Sequence, residues 1–386
     1  MIKLNDDYKI IADKIKKLEE HFINCKTPAD CANYVRIYQV LIMIYASHCF
    51  TFPHDKKCKK NVYLRNTQAI ASHIIDKKRM KDFISNKELH STLIANFYLD
   101  CFILFKDYID NNWNGYSKNA KISAKEQEEI LDDFLLTDGK DLQDMYLKHR
   151  KENKLCLMSE EFSEILNGTT GVTIWTPDDG TNFVFLAEQN NKIGELVTAI
   201  HELGHVYDFT TYANNHILRD TAAYNNNSPY CEVASIYHQY KFYEYLLKNN
   251  IYLNDTMENF LTSVNSNLTY LGEMLPLKLI SDEYLRKNKL IIEKQEINRV
   301  INNLNDEDFI DYNIVKDTFD GYDSVRYGYG FMLTMTMLEN PDLYDNFQRI
   351  REPLFAKEKL DNAGFTDKVI AKSMVKRMNK YFGEAK

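Results

Sequence analysis

The residues best suited to chemistry in this chain fall in one short run, His201-Glu202-Leu203-Gly204-His205, where two imidazoles flank a carboxylate. Histidines four apart on a helix project from the same face, about 5 to 6 Å apart at Cβ, so both rings can reach one cation. Neutral imidazole is a good zinc ligand. Glu202 points about 100° round the helix axis from His201. That removes it from the ligand set but lets it reach a water beside the same ion, which is where a general base is needed. A catalytic zinc takes three protein ligands and keeps a fourth position open, so another ligand must return from elsewhere in the chain. Glu232 follows His205 by 27 residues and opens the run Glu232-Val233-Ala234-Ser235 at the start of a Tyr-rich helical pattern. The stretch from Tyr212 to Pro229, rich in Asn, Asp and Thr, reads as the loop that brings it back. Alone, Glu232 would be a solvated carboxylate on a helix surface; beside His201 and His205 it is the candidate third ligand.

The element that must hold the pair is a helix, and its pattern is visible without the motif. Ile193, Leu196, Val197, Ile200 and Gly204 keep the spacing of a buried stripe, Asn190 or Asn191 can cap the N-terminus, and Glu195 lies in the first turn. Gly204 costs roughly 1 kcal/mol of helix propensity relative to Ala, so its place beside a ligand suggests that something packs closely there. Just upstream, Val172-Thr173-Ile174-Trp175 and Phe183-Val184-Phe185-Leu186 are β-prone runs separated by Pro177-Asp178-Asp179-Gly180, a hairpin or loop signal. A small sheet placed there could offer an edge to an extended peptide, or could simply pack against the helix.

The run NFVFLAEQNNKIGELVTAIHELGHVYDF followed by EVAS resembles the thimet oligopeptidase and oligoendopeptidase F family of zinc metallopeptidases. A distant third match, Gly321-Tyr322-Asp323-Ser324-Val325-Arg326-Tyr327-Gly328-Tyr329, looks like that family's tyrosine loop. The three matches span roughly Asn182 to Leu338. The resemblance implies that Glu232 completes the ligand set. It also implies that Tyr322 and Tyr329, seven apart, hydrogen-bond a scissile carbonyl as it becomes an oxyanion. Two positions depart from the pattern: Asp317 stands where the thimet branch has a His, and Gln239 where the family has a Glu behind a zinc histidine. An amide can still accept the imidazole N–H there, without adding negative charge.

The fold expected is mainly α with a small β-sheet beside the active-site helix, and the resemblance implies an elongated helical body with a central substrate cleft. Residues 1–165 read almost wholly as helix, a wall or lid, with Ser123 and Glu126 spaced as a capping box. Residues 166–386 would carry the catalytic region, as one continuous fold with the rest. Within it, helix is expected from Glu232 to about Asn303, a glycine-rich loop over 321–330, a restart at Phe331, and a final helix over Asn362 to Lys386. His48, Cys49, His54 and Cys58 match no common zinc spacing and read as a helix end with a loop.

Composition narrows the function classes. The 386 residues are 44% hydrophobic and 27% charged, ordinary for a globular protein. A net charge of −8 gives no electrostatic case for nucleic acid, whose binding normally shows as a basic patch. Val40 to Ala46, the longest apolar run, falls far short of the roughly 18 residues of a membrane span. The N-terminal stretch lacks a signal-peptide core, and seven cysteines without framework spacing fit reduced thiols in a cytoplasm.

Together these readings give a zinc-dependent endopeptidase acting on short peptides, with one Zn²⁺ per chain and Glu202 as general base. Two alternatives stay open, a metallocarboxypeptidase with the same ligands and a peptide-binding protein that kept the zinc fold. Manganese or cobalt could occupy the same donors.

Overall fold

A computed structural model of the protein describes residues 101, 104–112, 119–157, 170–176, 181–210, 231–287, 323–350 and 356–383. Residues 104–112 are helical. The elements that follow are α1 (Ala124–Thr137), α2 (Lys140–Lys151), β1 (Leu155–Leu157), β2 (Gly171–Thr176), β3 (Thr181–Leu186), α3 (Lys192–Thr210), α4 (Val233–Lys248), α5 (Leu253–Lys287), α6 (Asp323–Glu339), α7 (Pro341–Arg349), α8 (Ala356–Ala363) and α9 (Asp367–Phe382). The architecture is mostly helical with one small sheet. Among the described residues no helix is long and apolar enough to cross a membrane.

Helix α3 sits between two layers because it is apolar on two sides. Ile193, Leu196, Val197, Ile200 and Leu203 join the main core with Val233, Ile236, Tyr237 and Tyr240 of α4. Ala199 and Val206, on its other side, pack against Val184 and Leu186 of β3. Its start is fixed by Asn191, whose Oδ1 accepts the Gly194 N–H at 3.1 Å, satisfying one of the free donors of the first turn. Glu195 adds to this anchoring by accepting from the Gln189 N–H and from Lys192. Helix α6 packs against α4, α5 and α9, which makes it the centre of the C-terminal half.

The sheet has the order β1-β3-β2. Strands β2 and β3 pair antiparallel with Thr173 opposite Val184, so the two β-prone runs do form a hairpin. Strand β1 lies parallel to β3, with Leu155 opposite Val184, inside the stretch read as helix from sequence. Asn153 accounts for the break: with φ at 53° it turns the chain out of α2, and Leu155-Cys156-Leu157 then pairs with β3.

Two further departures have local causes. The capping box at α1 is half formed: Ser123 Oγ accepts the Glu126 N–H at 3.3 Å, while the Glu126 carboxylate accepts from the Tyr252 hydroxyl instead of reaching back. The single C-terminal helix expected from Asn362 is two, because Gly364 adopts φ +91° and Thr366 caps a new start by accepting from the Val369 N–H. The His48, Cys49, His54 and Cys58 group, the 165/166 boundary, Asp317 and the 212–229 loop lie outside the described residues.

Candidate metal centre

The close approach anticipated at Gly204 exists, and it is between α3 and α4. A Cβ at Gly204 would meet Ser235 Cα at 2.6 Å and the Ala234 carbonyl oxygen at 2.9 Å. Glycine lets the two helix backbones touch, and that contact places the first turn of α4, which Glu232 precedes, beside the histidine face of α3. A second glycine works from the other side: a Cβ at Gly330 of α6 would lie 2.8 Å from Ile236 Cδ1 and 3.3 Å from Glu232 Cβ. Glu232 is thus held between two helices that approach closely where side chains are smallest.

The result is a convergence of three donors. One carboxylate oxygen, Glu232 Oε2, lies 3.3 Å from His201 Nε2 and 3.2 Å from His205 Nε2. The ligand atoms of His201, His205 and Glu232 all fall within 4.8 Å of one another, the group among the described residues with the donors to hold an ion. Ligands about 2.0 to 2.1 Å from a tetrahedral zinc are about 3.3 Å apart, which the two spacings to Glu232 Oε2 match. The rings of His201 and His205 are 5.0 Å apart at an interplanar angle of 78°, both turning a nitrogen inward.

The surrounding contacts orient these donors. His201 Nδ1 is 2.8 Å from Gln239 Oε1, and the Gln239 amide group donates to Ser263 Oγ at 3.1 Å. Because that amide NH₂ is committed to Ser263, the oxygen faces the ring. His201 therefore donates from Nδ1, which makes Nε2, the nitrogen facing Glu232, the one that can bind an ion. The Ser235 hydroxyl lies 2.8 Å from the Glu232 carbonyl oxygen and 3.1 Å from its Oε2. His205 Nδ1 has no partner among the described residues, while its ring stacks on Phe209 at 6.1 Å.

Electrostatics favour a cation here. Burial opposes charge on Glu232, but the two imidazoles outweigh it and hold the carboxyl well below the usual range, so this ligand is anionic. Burial likewise opposes charge on His201, and the Glu232 carboxylate against its Nε2 more than reverses that, pushing it up to about 9. Glu232 thus supplies negative charge between two imidazoles, and a divalent cation can replace the proton that His201 otherwise holds against it.

Glu202 is only 6% exposed and lies under the sheet. The Thr173 hydroxyl of β2 reaches its Oε2 at 2.7 Å. A Cβ at Gly171, one pleat away, would fall 2.9 Å from Glu202 Oε1. Sequence reasoning missed both β2 residues. Strand and helix meet there across 29 positions, and no local pattern marks which strand residue will face a given helix side chain.

Tyr329 is placed differently from expectation. Tyr329 is not in a loop: α6 runs from Asp323 to Glu339 through Gly328 and Gly330, and Tyr329 is fully buried in the main core. Gly328 and Gly330 lie within this helix, and Gly330 faces Ile236 and Glu232 at a helix crossing. Tyr322 lies outside the described residues.

No family model matches the chain, and no curated protein matches it. Among solved structures it is similar to a crystal structure from Bacillus anthracis str. Ames provisionally assigned as an oligoendopeptidase F, at a TM-score of 0.48 and 12% identity. The match covers 91% of this chain but 63% of that one, so the chain spans less than two thirds of its length.

Proposed function

We propose that the protein is a zinc-dependent metalloendopeptidase that hydrolyses internal bonds of short peptides. One observation carries the reading: two imidazole nitrogens from α3 and one carboxylate oxygen brought by α4 converge within 4.8 Å, next to an acid that is not part of the set. The sequence resemblance to the oligopeptidase family supports the same assignment.

His201, His205 and Glu232 would hold the ion. A zinc ion at these donors supplies Lewis acidity, polarising a peptide carbonyl and lowering the pKa of a neighbouring water. Glu202, adjacent in sequence to His201, receives the proton as water attacks and returns it to the leaving amine. Gln239 fixes the His201 tautomer, and the Ser235 hydroxyl, within reach of both the Glu232 carbonyl oxygen and its Oε2, lies against this ligand.

Strand β2 offers the substrate a place to align. Ala187 N donates to the Thr170 carbonyl at 2.9 Å, which sets the phase of the hairpin. With that phase, the N–H and C=O groups of Gly171, Thr173 and Trp175 point away from β3. Among the described residues no strand pairs with that edge, so an extended peptide could add to it beside Glu202. For the oxyanion the proposal keeps Tyr322 and Tyr329, on the strength of the resemblance.

Internally quenched peptides of several lengths, with and without a chelator, test the reading. Cleavage at internal bonds is expected, lost with the chelator and restored by zinc. Glu202→Gln should lower kcat by about 10²- to 10⁴-fold while bound zinc is unchanged. Stepwise loss of single C-terminal residues would move the assignment to a carboxypeptidase. No cleavage of any peptide, or full activity in Glu202→Gln, would remove it.

A further inference from the structure

The face of β2 that lies on α3 presents two residues to the Glu202 side chain, and each acts on a different part of it. Thr173 Oγ1 is 2.7 Å from Glu202 Oε2 and 3.0 Å from the Glu202 carbonyl oxygen. A hydroxyl has a single proton to give, and a carboxylate is the stronger acceptor, so the shorter contact is the hydrogen bond. Gly171 acts by its lack of a side chain. A Cβ there would sit 2.5 Å from Thr198 Cγ2, 2.9 Å from Glu202 Oε1 and 3.0 Å from Glu202 Cγ. The carboxylate therefore rests on bare backbone at Gly171 and is gripped at one oxygen by Thr173. Among the described residues the Thr173 hydroxyl is the donor bound to this carboxylate, and Oε1 carries no such bond.

From this geometry we propose that Thr173 is a positioning residue for proton transfer, fixing Glu202 through Oε2 so that Oε1 is the oxygen that takes and returns the proton. The inference rests on the peptidase reading given above. It adds a link between substrate and base. Thr173 points its own N–H and C=O to the free edge of β2 while its side chain holds Glu202, so the strand that would align a peptide also sets the base against it. Preorganisation of this kind acts on turnover and not on binding, because the main-chain edge does not depend on the hydroxyl.

The comparison to make is Thr173→Val against Thr173→Ser in zinc-loaded enzyme. Val keeps the β-branched shape and the backbone and puts a methyl group in place of the hydroxyl. The expected result is a kcat lower by about tenfold to a hundredfold with KM and zinc content unchanged, and recovery to within about threefold in the Ser variant. In a Glu202→Gln background the Val substitution should cause little further loss, since the group it acts through is already gone. Equal kcat in wild type and Thr173→Val, or a loss that Ser does not restore, overturns the proposal while leaving the peptidase reading intact. If the wild type cleaves nothing, the peptidase reading fails, and the positioning is judged from crystal structures of the zinc-loaded proteins. There, an unmoved Glu202 rotamer in Thr173→Val, or a wild-type Thr173 Oγ1 beyond hydrogen-bond reach of Glu202, rejects it. The wild-type structure decides the point even if the Val variant does not fold.

Discussion

Replacing Gly204 by Ala asks whether the metal donors are held by the closeness of two helix backbones. The new Cβ would lie 2.6 Å from Ser235 Cα, 2.9 Å from the Ala234 carbonyl oxygen and 3.0 Å from Ser235 N. All three are main-chain atoms, so no side-chain rotation relieves the clash. Carbon atoms pack at about 3.5 to 4.0 Å, so α3 and α4 must separate by about 1 Å at the crossing. Glu232 lies one turn from Ser235, and a metal site tolerates ligand displacements of only about 0.2 Å. Two effects on stability oppose each other. Ala improves helix propensity by about 1 kcal/mol, and overpacking against rigid neighbours costs about 1 to 3 kcal/mol. Overpacking should win, leaving the metal-free protein less stable by up to about 2 kcal/mol. Zinc affinity, measured by competition with a chelator of known strength, should drop by about tenfold to a hundredfold, the loss seen when a ligand's support is removed. An Ala variant that binds zinc like the wild type and melts at a higher temperature would show that propensity alone governs position 204 and that the crossing does not set the ligand geometry.

Two other perturbations probe the groups behind the donors. Gln239→Glu keeps an acceptor for the N–H of His201 Nδ1, which now lies 2.8 Å from the amide oxygen, and adds a charge, so zinc should bind about tenfold more tightly by the same competition assay; equal or weaker binding would mean that the bond to Ser263 matters more than the charge. His238 is fully buried, with Nε2 2.9 Å from the Tyr344 hydroxyl and 3.5 Å from Asp141. Burial, partly offset by Asp141, lowers it from 6.5 to about 4. The unfolded chain then takes up a proton below pH 6.5 that the fold refuses until about pH 4, so stability should fall across that window by up to about 3 kcal/mol. Urea unfolding of metal-free wild type and His238→Gln at pH 7 and pH 4.5 isolates this contribution, and parallel losses in the two proteins would reject it.

How much of the site could be read from sequence depended on how local its causes are. His201 and His205 needed only the helical period, and the stripe from Ile193 to Gly204 announced the helix and one of its buried faces, but not the second, where Ala199 and Val206 meet β3. Gly204 was legible because its cost in a helix demands a compensating contact, though not which helix would make it. Glu232 needed the requirement for a third donor, since nothing within its own segment distinguishes it from a surface carboxylate. Tyr329 was misplaced because three glycines in ten residues look like a loop. Glycine also serves helices that cross closely, and Gly330 against Glu232 is such a case. Strand β1 escaped because three residues carry too little period to register.

Thr173 marks the limit of such reading. Its hydroxyl is one of many in the chain, and what makes it significant is the phase of a hairpin laid over a helix 29 positions later. The same phase that turns its side chain down to Glu202 turns its main-chain groups outward along the strand edge. A one-residue slip in the β2–β3 register would carry both away together, exposing the Thr173 hydroxyl on the far face and withdrawing its N–H and C=O into the hairpin. Register is therefore a functional constraint in this sheet as well as a packing one. It is specified by the burial of Val184 and Leu186 against Ala199 and Val206, residues with no chemistry of their own. The apolar face of a three-stranded sheet thus determines where the acid beside the donor set can point.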